Sequence, residues 1–121
     1  MRKVRYRAWD KEVEKMFPVL EIDFVEGWVR MYSKIAGRHY NWLDNLVLMQ
    51  YTGLEDKYGE EICDGDILTW ENNIIAKVYY ADDMAMFRCV IEGTEEFDLF
   101  VSNQEASIIG NIYENKELLD E

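Results

Sequence analysis

Residues 48–68 carry the densest set of turn signals in the chain, and they limit what the chain can fold into. Residues 56–59 (Asp-Lys-Tyr-Gly) have Asp at the first and Gly at the fourth position of a type I turn. Asp64-Gly65 is a dipeptide typical of hairpin turns, and a short β-favouring run follows it at 66–68. Gly53 is predicted to be a further turn residue, because glycine adopts positive φ at little steric cost. Helices usually need about 8–20 residues, so turns this close together favour short strands.

Alternating apolar and polar residues predict strands along most of the remaining chain. In the N-terminal part the predicted strands are residues 4–9, 15–17, 19–26 and 28–35, with Pro18 ending the second. In the C-terminal part they are residues 66–71, 74–80, 84–91, 96–101 and 107–113. Turns are predicted at Asn72-Asn73, Asp82-Asp83 and Glu92-Gly93-Thr94. Asn115 is predicted to begin a brief helix over 116–119.

These elements predict a mainly β fold, a small antiparallel β domain within a single domain over residues 1–121. We expect residues 1–45 to form a β-rich N-terminal segment. Five short, tightly turned strands have the size of a small SH3-like barrel, so we expect such a barrel, with a short C-terminal helix, in residues 46–121. Residues 37–45 are predicted to be a loop, and a helix over 28–36 is the alternative to a strand there.

Three blocks of sequence resemble a known family. The quoted residues are Leu48-Met49-Gln50-Tyr51-Thr52-Gly53-Leu54, then Asp56-Lys57, Gly59, Glu61-Ile62 and Gly65-Asp66-Ile67, with Arg7-Ala8-Trp9-Asp10 and Lys15-Met16 before them and residues 108–115 (Ile-Ile-Gly-Asn-Ile-Tyr-Glu-Asn) after them. This pattern resembles the phage YopX family over the whole chain. Glu55, Cys63 and Lys116 depart from the usual residues. The resemblance implies a protein encoded by a bacteriophage or prophage. It does not indicate which activity the protein has.

The net charge of −12 is divided unevenly along the chain. Residues 1–40 hold nine Lys/Arg and six Asp/Glu, whereas residues 41–121 hold four Lys/Arg and nineteen Asp/Glu. An acidic part of this strength repels phosphate, so we do not expect direct nucleic-acid binding. The acidity serves solubility in one interpretation. In the other, the basic start of the chain docks on an acidic part of its own or a neighbouring chain.

The residues that support catalysis or cofactor binding are scarce. The chain has one histidine, His39, and two cysteines, Cys63 and Cys89, which predict reduced thiols and no zinc site. No glycine-rich phosphate loop is found. The few serines, which are Ser33, Ser102 and Ser107, lie in no nucleophile elbow. We therefore expect no catalytic residues, no enzymatic activity and no bound metal, flavin or nucleotide.

Two acidic clusters and a set of aromatic residues allow sharper interpretations. The first cluster is Glu55, Asp56, Glu60, Glu61, Asp64 and Asp66, and the second is Glu92, Glu95, Glu96 and Asp98. Both lack the spacing of a calcium loop, so we predict solvated turn carboxylates. The aromatic set is Tyr6, Trp9, Trp28, Tyr32, Trp42, Tyr51, Trp70, Tyr79 and Tyr80. Base-stacking platforms come with basic grooves, so we expect this set to serve core and interface packing.

These observations predict a non-enzymatic cytoplasmic protein of the bacterial host, acting in protein interaction or assembly. Its expected partner is a second copy of itself or a host or phage protein, and no apolar run approaches the ~20 residues of a membrane helix. The alternative is an acidic decoy that mimics DNA and inhibits a host nucleic-acid-binding protein. Val4–Trp9 is predicted to be an exposed edge strand through which the chain self-associates. The other possibility is that this strand completes its own sheet.

Overall fold

The computed structural model describes residues 4–91 and 95–119, and strands dominate them, which confirms the mainly β prediction. The strands are β1 (Tyr6–Asp10), β2 (Lys15–Asp23), β3 (Trp28–Ser33), β4 (Gly37–Trp42), β5 (Leu46–Glu55), β6 (Glu61–Cys63), β7 (Asp66–Thr69), β8 (Ile75–Ala81), β9 (Met86–Val90), β10 (Glu96–Asp98) and β11 (Ser107–Asn111). Single 3-10 turns lie at Leu43–Asn45, Leu99–Val101, Asn103–Glu105 and Lys116–Leu118. The predicted C-terminal helix is thus one 3-10 turn. The predicted turn at 92–94 lies outside the described residues.

The strands form two antiparallel sheets. Six strands follow the order β4-β3-β2-β1-β5-β6, and five follow the order β10-β9-β8-β7-β11. By compactness the chain divides within β5 into an N-terminal unit, Met1–Gln50, and a C-terminal unit, Tyr51–Glu121. Leu46–Gln50 of β5 pairs with β1, and Tyr51–Glu55 pairs with β6.

The N-terminal unit has a core built from alternate residues of its strands. Ala8 of β1 and Val29 and Met31 of β3 are fully buried, and Leu46 joins them. Burying a side chain of the size of Val29 or Met31 is worth about 1.5–3 kcal/mol. Because side chains alternate along a strand, the residues between these positions face outward.

The C-terminal unit has its own apolar cluster, which consists of Ile62, Leu68, Ala76, Val78, Cys89, Leu99 and Ala106. Strands β7 to β10 form successive hairpins, and β11 returns beside β7. The five strands predicted here are confirmed, although the fourth ends at Asp98. The SH3-like barrel is not confirmed, because β10 and β11 occupy opposite edges of an open sheet in the part of the chain that the structure describes.

Pro18 does not end a strand as predicted, because β2 continues through it to Asp23. The register explains the exception. Strand β1 pairs with β2 up to Pro18, and β3 pairs with β2 from Val19 onward. Proline lacks an amide donor and is tolerated where no ladder bond is required of it. Pro18 stands at the position where β2 changes partners.

Residues 37–45 are not the predicted loop, and residues 28–36 are not a helix. They contain β3 and β4, which pair in one unbroken register from Trp28↔Trp42 to Ser33↔Gly37. The loop prediction failed because the polar and apolar residues of β4 are reversed relative to the usual pattern. The polar residues His39 and Asn41 lie on its half-buried side, and its aromatic residues are exposed on the other side.

All three predicted turn glycines have positive φ, and two of them, Gly59 and Gly65, lie in turns. Gly59 has φ +83° and donates its N–H to the carbonyl of Asp56 at 3.1 Å, which confirms that turn. Gly65 also has positive φ, but its turn joins β6 to β7, which pair with different strands and form no hairpin. Gly53 is not in a turn: it lies inside β5, where the register with β6 shifts, as in a β-bulge.

The prediction that residues 4–9 form an edge strand is wrong. Strand β1 pairs with β2 on one side and with β5 on the other. Its backbone donors and acceptors are therefore used within the sheet, as the second interpretation held. The edges of the six-stranded sheet are β4 and β6.

Candidate functional site

His39 is a packing residue in this fold. Its ring is half-buried and meets the ring of Phe17 edge-on, with 4.9 Å between centroids. Its Nδ1 lies 3.2 Å from the carbonyl oxygen of Gly37. Among residues 4–91 and 95–119, no group of three His, Cys, Asp or Glu side chains is arranged to hold a metal ion.

The prediction that the first acidic cluster consists of solvated carboxylates is wrong for two of its members. Asp56 and Asp66 are buried. The Oδ1 of Asp56 accepts hydrogen bonds from the N–H groups of Tyr58 and Glu60, and Oδ2 of Asp66 accepts one from the N–H of Cys63. These bonds replace the water that the turn amides would otherwise need. The carboxylate of Asp56 therefore stabilises the turn at residues 56–59.

Two members of the second acidic cluster, Glu96 and Asp98, lie on β10 and are not the solvated turn carboxylates predicted, because they accept hydrogen bonds from side chains of the five-stranded sheet. The hydroxyl of Tyr79 donates to Glu96, and Nε of Arg88 donates to Oδ1 of Asp98 at 2.8 Å. The bond to the Glu96 carboxylate raises the pKa of Tyr79 above its ordinary value. The bond to Asp98 likewise raises the pKa of Arg88. Glu92, predicted with this cluster, lies outside the described residues.

Cys63 and Cys89 are buried and lie in the interior of the fold as thiols. Burial raises the pKa of the Cys89 thiol to about 12, so the thiol stays protonated at neutral pH. A protonated thiol is a poor nucleophile and a poor metal ligand. Cys89 instead packs in the core of the C-terminal unit.

Several exposed aromatic side chains lie together on the hairpin of β3 and β4. In the register, Trp28 lies opposite Trp42, Arg30 opposite Tyr40, and Tyr32 opposite Arg38. Since Val29 and Met31 point into the core, these residues share the outer face of the hairpin. We call this set the aromatic face: it consists of Trp28, Arg30, Tyr32, Arg38, Tyr40 and Trp42.

Three rings of the aromatic face, those of Tyr32, Tyr40 and Trp42, are exposed, and the ring of Trp28 is half-buried. Trp28 and Tyr40 meet edge-on with 5.3 Å between ring centroids. Tyr40 is 64% exposed and Trp42 is 61% exposed. Trp28, Tyr40, Asn41 and Trp42 line an open concavity of about 330 Å³. Large aromatic side chains left in water at this level mark surfaces that bury against something else.

The aromatic face carries one paired and one exposed arginine. Arg30 Nε lies 3.1 Å from Glu21 Oε1 on the neighbouring strand β2. Arg38, near the β3–β4 turn, is exposed. Exposed ion pairs are weak, so the Arg30–Glu21 pair neutralises charge more than it stabilises the sheet.

Asn41 holds the edge strand in place from the inner side. Its Nδ2 donates to Oδ2 of Asp10 at 3.1 Å, and its Oδ1 accepts from the N–H of Trp42 at 2.8 Å. Asp10 is itself fixed, because its Oδ1 accepts from the N–H groups of Glu12 and Val13. This chain of bonds links the backbone at Trp42 to the turn after β1.

Sequence reasoning did not assemble the aromatic face. The aromatic set expected from the sequence contains Trp28, Tyr32 and Trp42 among other residues, and the predicted loop at 37–45 contains Tyr40. A signal was present, however. Residues 28, 30 and 32 read Trp, Arg and Tyr, and residues 38, 40 and 42 read Arg, Tyr and Trp, so the two triplets alternate with residues of the other face.

The fold and this surface define a class: an all-β protein of two antiparallel sheets with an exposed aromatic face. The chain belongs to the YopX family, because the family model described as "YopX protein" matches residues 5–120. A search of curated proteins gives no match. Among solved structures, the chain is similar to protein EF1440 from Enterococcus faecalis. The two share 24% identity with a TM-score of 0.72, over 99% of this chain and 100% of that one, which shows a common fold. No helix among the described residues has the length and apolarity to cross a membrane.

Proposed function

We propose that the chain is a non-enzymatic interaction protein of phage or prophage origin, which acts in the cytoplasm of the bacterial host and binds a partner protein through the aromatic face. The observation that carries this proposal is the exposure of Tyr40 and Trp42 beside Arg38. Trp, Tyr and Arg are the residues that most often supply the binding energy of protein interfaces.

The charges favour a protein over a nucleic acid as the partner. Nucleic-acid affinity comes largely from neutralising several phosphates at once. On the aromatic face Glu21 already neutralises Arg30, and Arg38 is the remaining arginine. An interface that buries rings and satisfies one arginine has the makeup of a protein contact.

The test is affinity purification from host lysate with the tagged full chain, compared with a Tyr40→Ser/Trp42→Ser double variant. Both rings are exposed, so we expect the variant to fold while its recovery of the partner falls at least tenfold. Tyr58→Ser is the matched control, because Tyr58 is 74% exposed and lies in the C-terminal unit. Equal recovery by the double variant and the intact chain would contradict the proposal.

A second candidate function is the acidic decoy, and the charge of the chain supports it. Residues 41–121 hold nineteen acidic and four basic residues, and exposed carboxylates occur at Glu55, Glu60, Glu71, Asp82, Asp83 and Glu105. Such a surface attracts the basic groove of a nucleic-acid-binding protein. The same purification tests it. A decoy would recover such proteins, release them to duplex DNA, and ignore the Tyr40→Ser/Trp42→Ser change.

A further inference from the structure

We propose that the aromatic face receives an extended segment of the partner, which pairs with the free edge of β4 and becomes a seventh strand of the sheet. This inference rests on the proposed function, because it specifies how the same surface binds. The segment it predicts has apolar side chains at alternate positions and an acidic side chain at the next alternate position.

Strand β4 has the properties of an edge that can accept another strand. In the described part of the chain its ladder partner is β3, and the pairing with β3 runs without a register shift. An edge strand presents a row of backbone N–H and C=O groups that a further strand can use. In β4 the N–H of Trp42 is already bonded to Oδ1 of Asn41 at 2.8 Å, so an added strand pairs with the other outward groups of β4. Native edges are usually blocked by proline, bulges or charges. Strand β4 has no proline and no bulge, and its charged residue, Arg38, lies at the turn end.

The position of the aromatic rings explains why an added strand would be held there. Tyr40 and Trp42 are two residues apart on β4, so they point to the same side. Every second side chain of an added strand would lie beside them, and the concavity at Trp28, Tyr40 and Trp42 would accept an apolar group. Backbone pairing supplies affinity in this mode, and the alternating side chains supply specificity.

Arg38 sets the charge of the segment. It lies two residues before Tyr40 on the same side of β4, and it is exposed. An acidic residue in the added strand opposite Arg38 would complete an ion pair. Antiparallel addition then reads apolar-x-apolar-x-acidic, and parallel addition reads the reverse.

A second copy of the chain fits this edge less well. Two β4 strands would each bring Arg38 to the pairing, and β4, whose sequence is Gly-Arg-His-Tyr-Asn-Trp, contains no carboxylate to meet it. A partner segment that carries an acidic residue can form an ion pair with Arg38, whereas a second β4 strand cannot.

The experiment uses a display library of random twelve-residue peptides selected on the full-length protein. We expect enriched peptides to show apolar residues at alternate positions with an acidic residue in the same alternation. The Trp42→Ser variant should weaken the best peptide at least tenfold. Arg38→Glu should change the selected residue from acidic to basic. Tyr58→Ser should bind as the intact protein does.

Methylation of the peptide backbone tests the strand pairing directly. N-methyl groups on alternate residues of one parity should abolish binding, since those amides donate to β4, while methylation of the other parity should change affinity less than twofold. Equal sensitivity of both parities, or a selected spacing of three and four residues, would overturn strand addition but leave the aromatic face as a binding surface.

Other outcomes would overturn the whole inference, and one of them would also overturn the proposed function. Peptides that bind Tyr40→Ser and Trp42→Ser unchanged would overturn both this inference and the proposed function. No enrichment from the library would overturn the inference. It would also fall if the intact protein formed a dimer in light scattering that Tyr40→Lys dissociates, or if an oligothymidine competed for the selected peptide. Urea unfolding and circular dichroism of each variant verify that the changes leave the fold intact.

Discussion

Oδ2 of Asp56 accepts a hydrogen bond from the N–H of Ile108 at 3.1 Å, although the two residues are 52 positions apart in the chain. The other oxygen of the same carboxylate accepts from Tyr58 and Glu60 at 2.9 Å each. One buried side chain thus closes the turn after β5 and ties it to β11.

We expect Asp56→Ala to lower the free energy of unfolding by about 3–5 kcal/mol. The change removes the acceptor of three part-buried amide donors, and each donor left unsatisfied away from water costs roughly 1–3 kcal/mol. Urea unfolding at pH 7 measures the loss. The control is Asp82→Ala, whose exposed carboxylate should matter by less than about 0.5 kcal/mol. A loss below about 1 kcal/mol for Asp56→Ala would show that water replaces the carboxylate.

Gly59 is expected to resist substitution for a backbone reason alone. Its φ is +83°, and an added Cβ would meet no atom within 4 Å, so Gly59→Ala introduces strain without a clash. The left-handed region costs an L-residue roughly 1–2 kcal/mol. Gly59→Asn should lose less than Gly59→Ala, because asparagine visits this region more readily. Thermal unfolding of both variants gives the comparison, and equal losses would point to a cause other than φ.

Cys89 should make the protein less stable in base. Burial disfavours the thiolate and raises the pKa of the folded Cys89 thiol from its ordinary value of 9.0 to about 12. The unfolded chain therefore releases this proton first, so stability is fully present below about pH 9 and falls as the pH rises toward 12, by at most about 1.4 kcal/mol per pH unit. Cys89→Ala removes this dependence. Urea unfolding of both proteins at several pH values should show the gap between them narrowing from pH 9 upward, and a constant gap would contradict the assignment.

Asn41→Ala should loosen the edge strand locally. It removes the bond to Asp10 and leaves the N–H of Trp42 without its side-chain acceptor. We expect a loss of about 1–3 kcal/mol and faster amide hydrogen exchange in residues 37–45. The control is Asn72→Ala, which removes one long, exposed bond of 3.3 Å to Ile74. Uniform acceleration in both units would mean that Asn41 acts on the whole fold.

Local chemistry was enough to predict most strands and turns. The turn at residues 56–59 follows from Asp at its first position and Gly at its last, and both residues act as that pattern requires. The strands of the C-terminal unit follow from alternation with an apolar core face. These features depend on neighbours in sequence, which a single chain displays.

Pairing between distant strands was not predictable in the same way. The edge assignment of β1 failed because nothing in residues 4–9 shows that Leu46–Gln50 will lie beside them. The sequence predicts a strand end at Pro18 and a turn at Gly53. In the structure Pro18 lies where β2 changes its partner strand, and Gly53 lies where β5 shifts its register with β6. Both features depend on the paired strand as well as on the local sequence.

The aromatic face also depends on strand pairing, which the sequence alone does not show. Trp28 and Trp42 become neighbours only through the β3–β4 register. The polar side chains on the inner side of β4 give this strand the composition of a loop. The composition indicated an excess of aromatic residues, but only the register shows which of them share a face.

The placement of β1 between β2 and β5 has a consequence for synthesis on the ribosome. Strands β1 to β4 leave the exit tunnel first, but β1 has no second partner until Leu46–Gln50 has followed. During that interval the nascent chain holds a hairpin array in which β1 is an open edge, and Ala8 lacks the cover of Leu46. Such a transient edge is a target for chaperones and for pairing between neighbouring nascent chains on one messenger. The time that elapses before residues 46–50 leave the exit tunnel therefore sets how long each new molecule stays exposed.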